Sequence, residues 1–179
     1  MVRFPSLYRR LAALVLRLLS PRSRLRRVLL RRALLSGWAA LNRRDFELML
    51  VRYAPDVEFE FPPGQQTLGL SGTFRGHEAM ADGLSELAED WASLELEPAY
   101  NLDLGDRVLS LGFYCVRGRA SGIQLEQQFA QLATLREGLV VRDHVWYRWE
   151  EGLRAAGLDP DAIALPPRAR AGQAASSTG

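Results

Sequence analysis

Three side chains near the end of this chain have the right chemistry to move a proton. His144 titrates near neutrality, so its imidazole can serve as general acid or base. Gln131 can hold a ring nitrogen or donate to a carbonyl oxygen. Arg142, two residues from the histidine, favours an anionic substrate group or developing negative charge. The plainer reading of the three is a structural polar patch. Whether they meet depends on strand register. A two-residue turn at Glu137-Gly138 predicts Leu135 opposite Val140, Ala133 opposite Arg142, Gln131 opposite His144 and Phe129 opposite Trp146. A connection centred on Ala120-Ser121 predicts Val116 opposite Leu125, Tyr114 opposite Gln127, Gly112 opposite Phe129 and Ser110 opposite Gln131.

One sheet face then gathers Ser110, Gly112, Tyr114, Gln127, Phe129, Gln131, Arg142, His144 and Trp146, aromatic walls with a few convergent polar groups, as a small-molecule pocket needs. The other gathers Leu109, Leu111, Phe113, Cys115, Glu126, Gln128, Leu132, Val141, Asp143, Val145 and Tyr147, a surface suited to self-association. In this register Asp143 points away from His144's side of the sheet, so the two form no dyad.

The elements that carry these strands follow from periodicity. Leu25, Val28, Leu29, Ala33, Leu34, Trp38 and Leu41 recur at three- and four-residue steps, which predicts a helix with one buried stripe, stopped at Asn42. Asp45 caps a second helix, carried to Tyr53 and ended by Pro55. Val57, Phe59 and Phe61 alternate with Glu58 and Glu60, a half-buried strand with its aromatic side inward and its acids solvated. A Gly-rich loop over 64–75 leads to a helix over 78–91 that buries Met80, Leu84, Leu87 and Trp91; His77 at its start is a packing or surface residue. Strands are expected at 93–104, 107–119, 122–136 and 139–149, then a short helix to Ala156 capped by Gly157. Helices first and a strand meander after them imply α+β architecture, a curved sheet enclosing a pocket.

Composition bounds the rest. With 179 residues and 47% hydrophobic content, the chain suits one globular domain. Its net charge of +2 conceals an asymmetry: residues 1–44 hold twelve Arg and no acid, while residues 45–179 hold eleven Arg and all 21 acids. One Cys excludes an internal disulfide, and with two His it leaves no metal cluster, so neither metal nor cofactor is expected. The organisation expected is a basic extension over 1–24, a domain over 25–158 and a disordered Pro-, Ala- and Ser-rich tail over 159–179. Arg17 interrupts the apolar run at 11–16, too short for a membrane span or a signal peptide. A loosely structured arm is preferred there over a basic amphipathic helix on a membrane surface or nucleic acid.

Ala40-Leu41-Asn42-Arg43-Arg44-Asp45-Phe46, Pro55-Asp56-Val57-Glu58-Phe59, Phe74-Arg75-Gly76-His77-Glu78, Phe129-Ala130-Gln131 and Leu135-Arg136-Glu137-Gly138, in that order, resemble the SnoaL-like group over residues 25–158. That resemblance implies the cone-shaped nuclear transport factor two-like, or cystatin-like, fold: a curved, mostly antiparallel sheet with helices packed on its concave face. The superfamily includes polyketide cyclases, ketosteroid isomerase, limonene epoxide hydrolase and non-enzymatic binders, so fold alone does not transfer function. Ketosteroid isomerase needs a Tyr and two Asp; Gly37, Phe61 and Gln131 stand near those positions here, and that chemistry is lost. The epoxide hydrolase Asp-Arg-Asp set finds no buried Asp pair to match it. SnoaL-like cyclases use a His and an Asp, and this chain offers His144 with no carboxylate placed beside it.

The expectation is therefore a pocket for a small, largely apolar molecule bearing a carbonyl or acid group. His144 would be acid/base, with Gln131 and Arg142 assisting; the walls would come from Trp38, Tyr53, Phe59, Phe61, Trp91, Tyr114, Gln127, Phe129 and Trp146. A non-catalytic binding or dimerisation module is the alternative. A homodimer through the sheet, a cytoplasmic location and no nucleic-acid partner complete the expectations.

Overall fold

The computed structural model describes residue 14, residues 18–62 and residues 70–163; most of the predicted arm, the first part of the Gly-rich loop and most of the predicted tail lie outside these. Helix α1 spans Arg24–Asn42, started by the Ser23 hydroxyl accepting from the Arg26 amide. Asn42 ends it and ties it down, bonding the amide of Leu96 at 2.9 Å and its carbonyl at 3.4 Å. Asp45 caps α2 (Phe46–Leu50) through the Leu48 amide at 3.0 Å. This second helix is shorter than expected, because Tyr53 already opens strand β1 (Tyr53–Phe61). Pro55, which has no amide to offer a ladder, sits within β1 where the pairing to the next strand is irregular, between Tyr53 and Glu58.

Strand β2 (Gly72–Arg75) replaces the end of the predicted loop and pairs antiparallel with β1. Gly76 turns the chain into α3 (Gly76–Asp90) with φ of 81°, at a spot where a Cβ would press on the Pro55 carbonyl at 3.2 Å. Then follow β3 (Trp91–Asp103), β4 (Arg107–Gly118), β5 (Gln124–Arg136), β6 (Leu139–Trp146), α4 (Trp149–Ala155) and a short 3-10 turn at Pro160–Ala162, where disorder was expected. The sheet order is β2-β1-β6-β5-β4-β3. Among the described strands only β1 against β6 is parallel; the other pairs are antiparallel.

The main core lies between one sheet face and helices α1–α3, with Trp38, Met49, Val57, Phe59, Phe61, Met80, Leu84 and Leu87 buried in it. Trp91 is only partly buried at its margin. Not every helix keeps to that face. Helix α4 crosses the opposite one, where Trp149 and Leu153 bury Leu109, Leu111 and Phe113. Trp149 Nε1 donates to the Gly112 carbonyl at 3.0 Å. The strip of β4 expected to serve self-association is thus covered by helix α4 of the same chain.

The buried stripe of α1 also needs correction. Leu25 and Val28 point outward, 56% and 50% exposed, while Arg26 is 2% exposed. The reason is electrostatic: Arg26 forms a two-pronged ion pair with Asp103, Nε to Oδ2 at 2.7 Å and Nη2 to Oδ1 at 2.9 Å. Its remaining donors reach the carbonyls of Leu19, at 3.0 Å, and Gly105. A buried arginine is tolerable only when so completely satisfied. It clamps the start of α1 to the β3–β4 turn.

Candidate functional site

The β4–β5 register is the expected one, from Ser110 opposite Gln131 to Val116 opposite Leu125. The β5–β6 register begins as expected, with Leu135 opposite Val140, and then slips: Thr134 faces Arg142, Ala133 faces Asp143 and Gln131 faces Val145. One residue of β5 spans two of β6, so Val141 is the extra residue of a β-bulge. Because side chains alternate with period two, the slip exchanges the faces of everything after it on β6. Asp143, Val145 and Tyr147 turn inward, and Arg142, His144 and Trp146 turn outward.

Inward lies a partly open cavity of about 90 Å³. Its walls are mostly apolar, with Trp38, Tyr53, Phe59, Phe61, Met80, Leu84, Tyr114, Val145 and Tyr147 among them. The polar groups are few: Asp143, Gln131, Ser110 and Arg52. Asp143 is fully buried. Its Oδ2 accepts from Gln131 Nε2 at 2.5 Å and from the Tyr53 hydroxyl at 3.1 Å, while Oδ1 is buried with no hydrogen-bond partner among the described residues. Burial pushes the Asp143 carboxyl up to about 7, the Gln131 and Tyr53 hydrogen bonds opposing that rise. The carboxyl therefore changes protonation state near neutrality, where acid–base work is most effective. Burial first, then the Asp143 charge, holds the Tyr53 hydroxyl well above its ordinary value, so it remains a donor. Burial likewise raises Tyr114, and lifts Tyr147, whose hydroxyl donates to the Leu70 carbonyl at 3.2 Å, to about 12.

Arg52 is the cavity's cation. Its guanidinium packs over Gly37, where any Cβ would collide with Nη1, and donates to the Ser36 hydroxyl; its Nε is buried without a hydrogen-bond partner among the described residues. The glycine near the position where the resemblance calls for a tyrosine thus makes room for an arginine from the turn just before β1.

Of the residues expected at the site, Trp38, Tyr53, Phe59, Phe61, Tyr114 and Gln131 line the cavity. Phe129 is fully buried behind them, against Tyr114 and Trp38, with its ring over Gly112. Gln127 spends its amide on the Tyr147 carbonyl at 2.8 Å, and Trp91 stands outside the lining. Arg142, His144 and Trp146 are corrections. They share the outer face with β1, whose Glu58 and Glu60 pair beside Arg142 and His144. Arg142 reaches Glu58 at 3.1 Å and Glu60 at 3.3 Å, and Arg75 reaches Glu58 at 3.2 Å. The acids expected to be solvated are engaged.

His144 stacks on Trp146 with ring centroids 3.9 Å apart, and its Nδ1 lies 3.1 Å from Glu60. Burial lowers its imidazole below the usual value, Glu60 opposing and Arg142 adding to the effect. His77 is a packing residue as expected, its Nε2 3.0 Å from the Tyr53 carbonyl. Asp143, Arg52, Val145 and Tyr147 were missed. The acid pair Glu58 and Glu60 was the available signal: a strand beside them has reason to turn Arg142 and His144, not Asp143, to their side. No group of three or more His, Cys, Asp or Glu among the described residues could hold a metal ion.

Comparison with known proteins places these features in context. The family profile described as SnoaL-like domain matches residues 36–143. No curated protein matches the chain in sequence. Among solved structures, TerC co-crystallised with polyporic acid is 27% identical with a TM-score of 0.59, covering 70% of this chain and 96% of that one. A nuclear transport factor two-like protein of unknown function from Burkholderia pseudomallei is 25% identical with a TM-score of 0.60, over 69% of this chain and 94% of that one. A similar protein from Burkholderia xenovorans is 28% identical with a TM-score of 0.52, over 67% and 89% of the two chains.

Proposed function

The chain belongs to the SnoaL-like domain family, and from that premise we propose that its cavity takes a small, largely apolar compound bearing a carbonyl and an acidic oxygen and moves a proton on it without a cofactor. The observation that carries this reading is the buried Asp143 carboxyl, one oxygen held by Tyr53 and Gln131 and the other without a hydrogen-bond partner among the described residues. In its ionised form the free Oδ1 is the acceptor for a proton on the carbon next to a carbonyl. That proton, returned to another position of the resulting enol, isomerises the compound with no net change of atoms or electrons. Tyr53 and Gln131 orient the carboxyl and restrain its pKa; they are positioning residues. Arg52 supplies the cationic donor for the substrate's acidic oxygen or for negative charge developing on the carbonyl. The similarity to TerC, crystallised with polyporic acid, supports an acidic organic ligand.

Deuterium exchange tests the chemistry. Phenylpyruvate joins an apolar ring, a carbonyl and a carboxylate, and loss of its benzylic proton signal in heavy water reports proton abstraction. Wild type should accelerate the exchange, and Asp143→Asn should lower that acceleration by roughly 10²–10⁴-fold, the usual contribution of a positioned acid–base group. Arg52→Gln should weaken binding more than it slows exchange at saturation. Exchange undiminished in Asp143→Asn would remove the carboxyl from the mechanism. Binding without any acceleration by wild type would leave a ligand-binding module of the same fold.

A further inference from the structure

We propose that the outer face of α1 docks the protein on an anionic lipid surface. Leu25, Val28 and Leu35 stand 56%, 50% and 39% exposed on that helix. Their spacing of three and seven residues puts them on one side of it. Leu30, Leu34 and Leu35 of the same helix line a groove of about 330 Å³ with Tyr100 of β3, itself 38% exposed. Arg27 and Arg31 edge this groove, and Arg24 and Arg32 are exposed beside the apolar stripe. None of these four arginines forms an ion pair among the described residues, and no acid precedes Asp45 in the chain.

Charge and hydrophobicity together select the occupant. A second copy of α1 would match leucine to leucine but set arginine against arginine, with nothing to neutralise them. A nucleic acid would satisfy the arginines yet leave Leu25, Val28 and Leu35 in water. An anionic bilayer accepts both: aliphatic side chains enter the headgroup boundary while guanidinium groups reach the phosphates along their apolar stems. The face is already built for this. Arg26, buried on the other side of the helix against Asp103 and the Gly105 carbonyl, fixes α1 to the β3–β4 turn, so little order has to be gained on binding. No helix among the described residues is long and apolar enough to cross a membrane, which makes this a surface contact. Leu34 lines both the groove and the cavity, so docking would set one wall of the cavity close to the lipid.

The test is sedimentation of the full chain with vesicles of phosphatidylcholine alone and of phosphatidylcholine mixed with phosphatidylglycerol. Binding to the mixed vesicles, absent with the neutral ones and weakened by salt, is expected. Arg27→Gln, Arg31→Gln and Arg32→Gln combined should reduce it by roughly a hundredfold. Leu25→Gln, Val28→Gln and Leu35→Gln combined should also abolish detectable binding, with an unchanged melting curve showing that these exposed positions leave the fold intact. Absence of partitioning, equal partitioning to neutral vesicles, or undiminished binding by both triple variants would overturn the proposal; the last result would assign any lipid binding to residues outside α1. Capture of duplex DNA or RNA that survives the leucine and valine substitutions, with no vesicle binding, would overturn it in favour of nucleic acid.

Discussion

Asp143 and His144 are neighbours on β6, yet they occupy two different media. Asp143 is enclosed by hydrocarbon, a tyrosine hydroxyl and one amide, and burial brings its carboxyl to about 7. His144, half-exposed, sits between Glu60 and the indole of Trp146 and is moved below its ordinary value. Ordinary values would make the imidazole the group that titrates near neutrality and the carboxylate the spectator. The two faces of the sheet reverse those roles. Chemistry follows from where a side chain is put, and one bulge residue, Val141, decides where both are put.

Removing that residue is the most severe way to break the contrast. Deletion of Val141 restores the register implied by the Glu137-Gly138 turn, sending Arg142 and His144 into the cavity and Asp143 to the surface. Arg142 is then driven into the cavity away from Glu58 and Glu60, and a buried charge stripped of its partner costs about 3–5 kcal/mol. The deletion should therefore leave little or no cooperative unfolding transition in urea. A stable variant with an unchanged midpoint would mean that the face assignment does not rest on Val141.

What was legible beforehand was local. The bounds of α1, the α3 periodicity, the Asp45 cap, the inward set Val57, Phe59 and Phe61, and the β4–β5 register follow from spacing and turn residues within a few positions of each other. What was not legible depends on partners far along the chain. Val141 is an ordinary β-branched strand residue with nothing in its type to mark a bulge. The parallel pairing of β1 with β6 has no turn to announce it, and it is what sets Glu58 beside Arg142 and Glu60 beside His144. Arg26 could be read as buried only by knowing that Asp103, at the end of β3 and distant in sequence, would meet it. The cavity's aromatic walls were therefore anticipated far better than its acid and its cation.

The next largest effect is on stability, and it carries a sign. From 3.8, its value in the unfolded chain, up to about 7, Asp143 holds a proton in the folded protein that the unfolded chain releases. The contribution is complete below the unfolded value and is lost as pH rises through the folded one, by on the order of 4 kcal/mol. Asp143→Asn keeps an oxygen for Tyr53 and Gln131 and cannot ionise. Its stability curve should lack that decline, so the variant gains on wild type at about pH 8 and nearly coincides with it at about pH 4. Parallel curves for the two proteins would show that Asp143 is not the buried acid described here.

The smallest effect belongs to the outer face, and its sign is opposite. His144 has a lowered imidazole, so its contribution is complete above the ordinary histidine value and is lost as pH falls through the lower, folded one. At neutral pH the ring is uncharged, and its contact with Glu60 is a hydrogen bond from Nδ1–H to a carboxylate oxygen. His144→Gln retains a donor but loses the stack on Trp146, which is worth about 1 kcal/mol. The loss should be measurable at neutral pH and should shrink in acid, where the wild-type ring must take up a proton at the expense of the fold. Phenylpyruvate exchange should be unaffected in the same variant. Histidine NMR decides between the competing influences on the ring: a titration midpoint below the ordinary value leaves burial and Arg142 in control, whereas a midpoint above it would make Glu60 dominant and turn this outer pair into an ion pair whose strength grows, not fades, on mild acidification.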